Sequence, residues 1–264
     1  MTVLRAHVEG IGILGPGLPD WPTARRVLAG GAPFVAGPVV LPPVVTLPPA
    51  ERRRVGRVVK LALAVGYEAM AAAGRNPADV ATVFSSSGAD VDNCHEISQQ
   101  LATSDRQISP TRFHNSVHNV PAGYWGIATG AMADSTALCA FDGSFGAGLL
   151  EAVAHVAVER VPVLLVAYDA SYPEPLRSAR PLAEAFAIGL LLAPEVGPRA
   201  LAGIELSLVG EPAESLDDPA LEAQRTGAPA ARGLPLLRAI ARGGSGRAVL
   251  DYLPGRQLAV TVTP

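Results

Sequence analysis

The chain has 264 residues, enough for one large α/β domain or two small ones. Hydrophobic residues make up 49% against 17% charged, a balance that excludes disorder and demands an extensive buried core. Net charge is −3, and the one basic cluster, Arg52-Arg53-Arg54 with Arg57, opens an apolar helical run without forming a continuous stripe, so nucleic acid is not an expected partner.

In chain order, Val3 to Leu14 alternates imperfectly and ends in Gly15-Pro16-Gly17, which predicts a strand and a turn. Trp21 to Leu28 predicts a short helix stopped by Gly30-Gly31. Repeated prolines in residues 32–49 remove amide donors and predict an extended surface connection. From Ala50 to Ala73 the pattern is helical, and beyond Leu61 it is apolar nearly all round, as in a helix buried between layers. Val80 to Phe84 predicts a central strand running into Ser85-Ser86-Ser87-Gly88. Asp90 then caps a helix whose Val91, Cys94, Ile97 and Leu101 share one face, which assigns Cys94 to the core.

Phe113 to Thr129 predicts a loop and a helix in which Gly123, Gly126 and Gly130 allow another backbone to approach closely. Ser135 to Phe141 predicts a strand, Asp142-Gly143-Ser144 a tight turn, Phe145 to Glu159 a helix, and Val163 to Ala167 a parallel buried strand. Ala185 to Leu192 and Ala202 to Val209 predict two strands, expected as antiparallel neighbours joined through Pro194 to Pro198. Leu216 to Gly243 is helical with a break around Pro229, and Arg247 to Val262 supplies one or two final strands. The alternation predicts an α/β fold with a mostly parallel mixed sheet and helices on both faces.

The longest apolar run, Leu61 to Ala73, is short for a bilayer and carries Glu68, so no membrane span is expected. The first residues, Met1-Thr2-Val3-Leu4-Arg5, lack the parts of a signal peptide, which with the cysteine usage leads to a cytoplasmic expectation. Cys94 and Cys139 are the only cysteines and form no CxxC, so neither a disulfide framework nor a zinc site is indicated. His114 and His118 are four apart, a spacing that could share a helix face and suit a metal, but no third ligand lies nearby in sequence. No metal or cofactor is expected.

The strongest chemical signal is the strand-turn-helix unit from Ser135 to Ala152. A sharp turn between a buried strand and a glycine-rich helix can expose a nucleophile above a helix N-terminus, whose partial positive charge favours a thiolate or oxyanion. By shape alone Cys139 or Ser144 could be that nucleophile. Cys139 also fits as a small core residue of the strand, and Ser144 as the cap of the following helix. Asp142 reads either as an acid in a cleft or as a first-turn carboxylate stabilised by the helix.

That unit and the preceding run Ile108-Ser109-Pro110-Thr111-Arg112-Phe113-His114-Asn115-Ser116-Val117-His118-Asn119-Val120-Pro121-Ala122-Gly123 resemble the N-terminal half of β-ketoacyl synthases. They are more similar still to the short chain-length factors of aryl polyene pathways, and Gly10-Ile11-Gly12, Gly15-Pro16-Gly17 and Trp21 fit the same group. The resemblance covers about residues 1–195 and implies a thiolase-like layered domain there, with residues 196–264 as a C-terminal extension of strands and helix on the same core.

Active members of that family need a cysteine at the turn and two residues, commonly histidine, from the C-terminal half. At the turn, where they place Cys-x-Ser, this chain has Phe141-Asp142-Gly143-Ser144, and all five histidines lie at or before His155. The resemblance therefore implies a non-catalytic subunit with Asp142 marking a vestigial site. Its partner would be an active β-ketoacyl synthase in a heterodimer, with an acyl carrier protein docking transiently. It further implies that Phe113, His114, Val117, His118, Gly123, Gly126 and Phe145 border the dimer interface or the acyl tunnel. The alternative is a truncated acyltransferase or ketosynthase using Cys139 or Ser144.

Overall fold

A computed structural model describes residues 4–182 and 184–264. Val3 of the predicted N-terminal strand, and Met1, Thr2 and Val3 of the signal-peptide test, lie outside that range; the rest of the strand is β1 (Leu4–Leu14). Helix α1 (Trp21–Leu28) starts at Asp20, whose Oδ1 accepts from the Thr23 amide at 2.7 Å. The proline-bearing segment that follows forms neither helix nor strand before Pro49.

The helical run from Ala50 is broken in two. A single turn, α2 (Pro49–Arg52), stops before Gly56, and α3 (Arg57–Ala73) begins there and ends on the left-handed Gly74. Then come β2 (Ala81–Ser85), α4 (Val91–Leu101), α5 (Pro110–His114), α6 (Val120–Thr129) and β3 (Ser135–Leu138). The second half of the chain runs through α7 (Ser144–Glu159), β4 (Val163–Asp169), the single turn α8 (Leu176–Ala179), β5 (Phe186–Ala193), β6 (Ala202–Val209), α9 (Pro219–Gly227), α10 (Leu234–Arg242) and a closing hairpin, β7 (Gly246–Leu253) and β8 (Arg256–Thr263). A tight 3₁₀ turn at Pro229–Gly233 separates α9 from α10, at the break expected from Pro229.

The eight strands of the described residues form one sheet in the order β3-β2-β4-β5-β1-β6-β8-β7. It is mixed and has helices on both faces, as expected, but only the β3-β2 and β2-β4 pairings are parallel, so "mostly parallel" is corrected to mostly antiparallel. The pairing expected between β5 and β6 is also absent, because β1 lies between them and pairs antiparallel with both. An eleven-residue first strand is long enough to accept β5 along one stretch and β6 along another, with a register shift between Val8 and Gly10.

Burial follows from the two-residue period of a strand covered on both sides. Val163, Leu165 and Ala167 of β4 join the core under α1, α7 and α10, whereas Leu164, Val166 and Tyr168 join the core under α3 and α6. The amphipathic reading of α4 fails. Asn93 is its only buried residue, Cys94 is exposed and Leu101 is 46% exposed, so the stripe that assigned Cys94 to the core faces outward. Asp90 does cap this helix, accepting from the Asn93 amide at 3.1 Å. Among the described residues no helix is long and apolar enough to cross a membrane.

Candidate functional site

Because β3, β2 and β4 run parallel, their C-terminal ends meet at one end of the sheet. There the chain leaves β2 through Ser86-Ser87-Gly88, leaves β3 through Cys139, and ends β4 on Asp169. Asp169 is 2% exposed and accepts from four donors: the Ser87 amide at 2.9 Å, the Ser87 hydroxyl at 2.6 Å, the Ser86 hydroxyl at 3.4 Å and the Ala230 amide at 2.8 Å. Burial outweighs those donors and pushes its carboxyl up to about 6. One side chain thus ties the β2–α4 loop and the turn after α9 to the end of β4.

Above this knot, His118 Nε2 lies 3.1 Å from the Ser86 carbonyl oxygen and so acts as its donor, and Tyr168 donates to the His118 carbonyl at 3.5 Å. The Cys139 thiol donates to the Ser87 carbonyl at 3.4 Å. The strand predicted to run to Phe141 stops at Leu138, which puts Cys139 past its end and exposed. The core assignment of Cys139 is therefore corrected.

At the bend Phe141 has φ +51°, a left-handed backbone that is costly for an aromatic residue. Ser144 locks it: its hydroxyl donates to the Phe141 carbonyl at 2.7 Å and accepts from the Ala140 amide at 3.1 Å. Ser144 is 1% exposed and already occupied, and it serves the bend, not the later amides of α7 that a capping serine would satisfy. Arg180 lies over the Phe141 ring at 3.7 Å from its centroid and pairs with Asp142 at 2.8 Å; Arg232 reaches the other Asp142 oxygen at 3.4 Å and Asp251 at 2.8 Å. Asp142 is thus neutralised by two guanidinium groups. The start of α7 can sit this close to the closing hairpin because a side chain on Gly143 would come 2.0 Å from the Tyr252 carbonyl oxygen.

The residues expected at an interface or tunnel separate into three places. Phe113, His114, Val117 and Gly123 line an open groove of about 470 Å³ between α5 and α6, where Phe113 is 67% and Val117 50% exposed. A side chain on Gly123 would meet nothing within 4 Å and one on Gly126 only the Ala131 carbonyl at 3.7 Å, so among the described residues no other backbone uses the close approach they permit. His118 turns inward instead, and His114 and His118 share no helix face because α5 ends at His114. Phe145 is 0% exposed and packs on Gly233 inside this chain's own core, which corrects its placement at a partner surface.

Asp169, Phe141 and the arginines that hold Asp142 escaped the sequence reading. Asp169 carried a usable signal, a carboxylate closing a wholly apolar strand at the sheet end where α/β proteins hold ligands. Arg180 and Arg232 carried none, since only the fold brings them to Asp142.

The model of the β-ketoacyl synthase N-terminal domain matches residues 28–249. No curated protein matches the chain. Among solved structures, a chain from a ketosynthase (ApeO) in complex with its chain length factor (ApeC) from Xenorhabdus doucetiae superposes with TM-score 0.74 at 22% identity, over 97% of this chain and 99% of that one. The ishigamide ketosynthase/chain length factor gives 0.73 at 12% identity over 98% and 99%. The AntDE:AntF complex, a type II PKS acyl-carrier protein with its ketosynthase bound to the hexaketide, gives 0.73 at 11% identity over 98% and 99%. The thiolase-like ketosynthase fold expected from the sequence is the fold observed.

Proposed function

Since the chain belongs to the β-ketoacyl synthase N-terminal domain family, we propose that it is a non-catalytic chain-length factor, cytoplasmic, which pairs with an active β-ketoacyl synthase in polyketide or aryl polyene synthesis. The observation that carries this reading is the bend. Where the resemblance calls for a thiol, the chain holds Asp142, paired with Arg180 and Arg232, next to Phe141 on a locked left-handed backbone. No histidine follows His155 to assist decarboxylation of an extender.

The pairing half of the proposal draws support from the edge of the sheet. Among the described residues β3 pairs only with β2, which leaves it at the edge of the sheet, and its sequence Ser-Thr-Ala-Leu carries neither charge nor proline to deter another strand. Exposed Met132, Phe113, Val117 and Ile127 on the preceding segments add apolar surface. The solved neighbours named as ketosynthase and chain-length-factor complexes agree with such a partner.

In this reading the groove of Phe113 and Val117 faces the growing chain, bound to an acyl carrier protein. An apolar chain gains about 0.8 kcal/mol per buried methylene until a side chain blocks it. Phe113→Ala should therefore lengthen the product of the complex by at least one extender unit, and Val117→Trp should shorten it, both read by mass spectrometry of released products. Unchanged lengths would favour a scaffold that never touches substrate.

The direct test is coexpression with a ketosynthase encoded beside it. The two subunits should co-elute, and this chain alone should turn over nothing. Separate elution, with the ketosynthase alone giving full-length product, would sink the proposal. Exposure of Cys139 at the strand end keeps a second reading in play, a truncated acyltransferase using that thiol. Incubation with an acyl thioester should leave the intact mass unchanged; a stable acyl adduct lost in Cys139→Ser would establish the enzyme instead.

A further inference from the structure

We infer that Phe141 is a preorganised anchor for the partner ketosynthase, a role that rests on the pairing reading above. Three observations point to it. Phe141 is 62% exposed, so its ring contributes little to this chain's own core. Yet it is held more firmly than an exposed residue needs to be: the backbone sits at φ +51°, the Ser144 hydroxyl bridges Ala140 and Phe141, and Arg180 covers one ring face at 3.7 Å while bonded to Asp142. Finally, it lies three residues beyond β3, the uncharged strand that, among the described residues, ends the sheet and pairs on one side with β2.

Backbone strain persists where the surroundings over-determine it and is characteristic of functional positions. Aromatic side chains dominate interface energetics when they are already rigid, because less rotamer freedom is lost on binding. Arg180 covers one face of the ring, and at 62% exposure the residue still presents aromatic surface to solvent just past the end of the strand. The partner that fits is a ketosynthase subunit that adds a strand to β3 and receives the ring in an apolar pocket.

Phe141→Gly separates this role from a structural one. Glycine adopts φ +51° without strain and the lost ring was mostly solvated, so the melting temperature of the isolated chain should stay level or rise. Affinity for the coexpressed ketosynthase, measured by calorimetry on the purified subunits, should fall at least tenfold. Phe141→Leu, which keeps apolar bulk, should recover part of that loss. A variant that melts earlier but binds within twofold of the unmodified chain would overturn the anchor and leave the pairing intact. An unmodified chain that binds no ketosynthase overturns the pairing first and the anchor with it.

Discussion

Gly12→Val should cost the fold about 3 kcal/mol or more, read as an earlier denaturant midpoint and a lower soluble yield. A Cβ on Gly12 would stand 2.1 Å from the Val65 carbonyl oxygen and 2.9 Å from the Val65 carbonyl carbon, main-chain atoms of α3 that have no rotamer in which to move aside. Gly10 and Gly189 are in the same position, with virtual Cβ atoms 2.0 Å from the Ala69 oxygen and 2.5 Å from the Val65 oxygen. The helix therefore rests directly on the backbone of β1 and β5. To make room, α3 would have to lift, and Leu61, Val65 and Ala69, each 0% exposed, would lose their packing together. Gly210→Ala is the control: nothing lies within 4 Å of its Cβ, and it should fall within about 0.5 kcal/mol of the parent. If Gly12→Val unfolds at the parent's midpoint, the close seating of α3 on the sheet is wrong.

Those glycines also show what the sequence could reveal and what it could not. Gly10-Ile11-Gly12 was legible as a family mark, but its physical reason, a helix backbone lying on the strand, needed the fold. Periodicity served where tertiary packing agreed with it. The all-round apolar run of α3 predicted a buried helix, and Asp90 and the Pro229 break set element ends correctly. It failed on α4, whose apolar stripe faces outward, because period alone cannot say whether a covering element exists. It failed again on strand direction. Local patterns fix that an element is a strand, whereas its neighbour depends on where a long first strand inserts, here between β5 and β6. At the site, the contiguous motif from Cys139 to Ser144 could be read, while the charge network around Asp142 unites residues from the bend, from the segment after α8 and from the turn after α9.

Asp169→Ala should be nearly as damaging, at about 3 kcal/mol, because it leaves the Ser87 and Ala230 amides without their acceptor in a buried site. Asp169→Asn is the more informative variant, since it keeps the shape and removes the titration. The carboxyl sits at about 6 in the folded chain against an ordinary 3.8, with burial as the main cause. Between those values the folded chain holds a proton that the unfolded chain has released, so the group's contribution to unfolding free energy falls as pH rises through that window and is level above it. The span corresponds to about 3 kcal/mol. The asparagine variant lacks this fall. Its stability relative to the parent should therefore improve from pH 4 to pH 6.5 and then stay constant, measured as the difference in denaturant midpoints by circular dichroism. A difference that is flat across that range would mean that Asp169 is ionised throughout, with its four donors, not burial, controlling its charge.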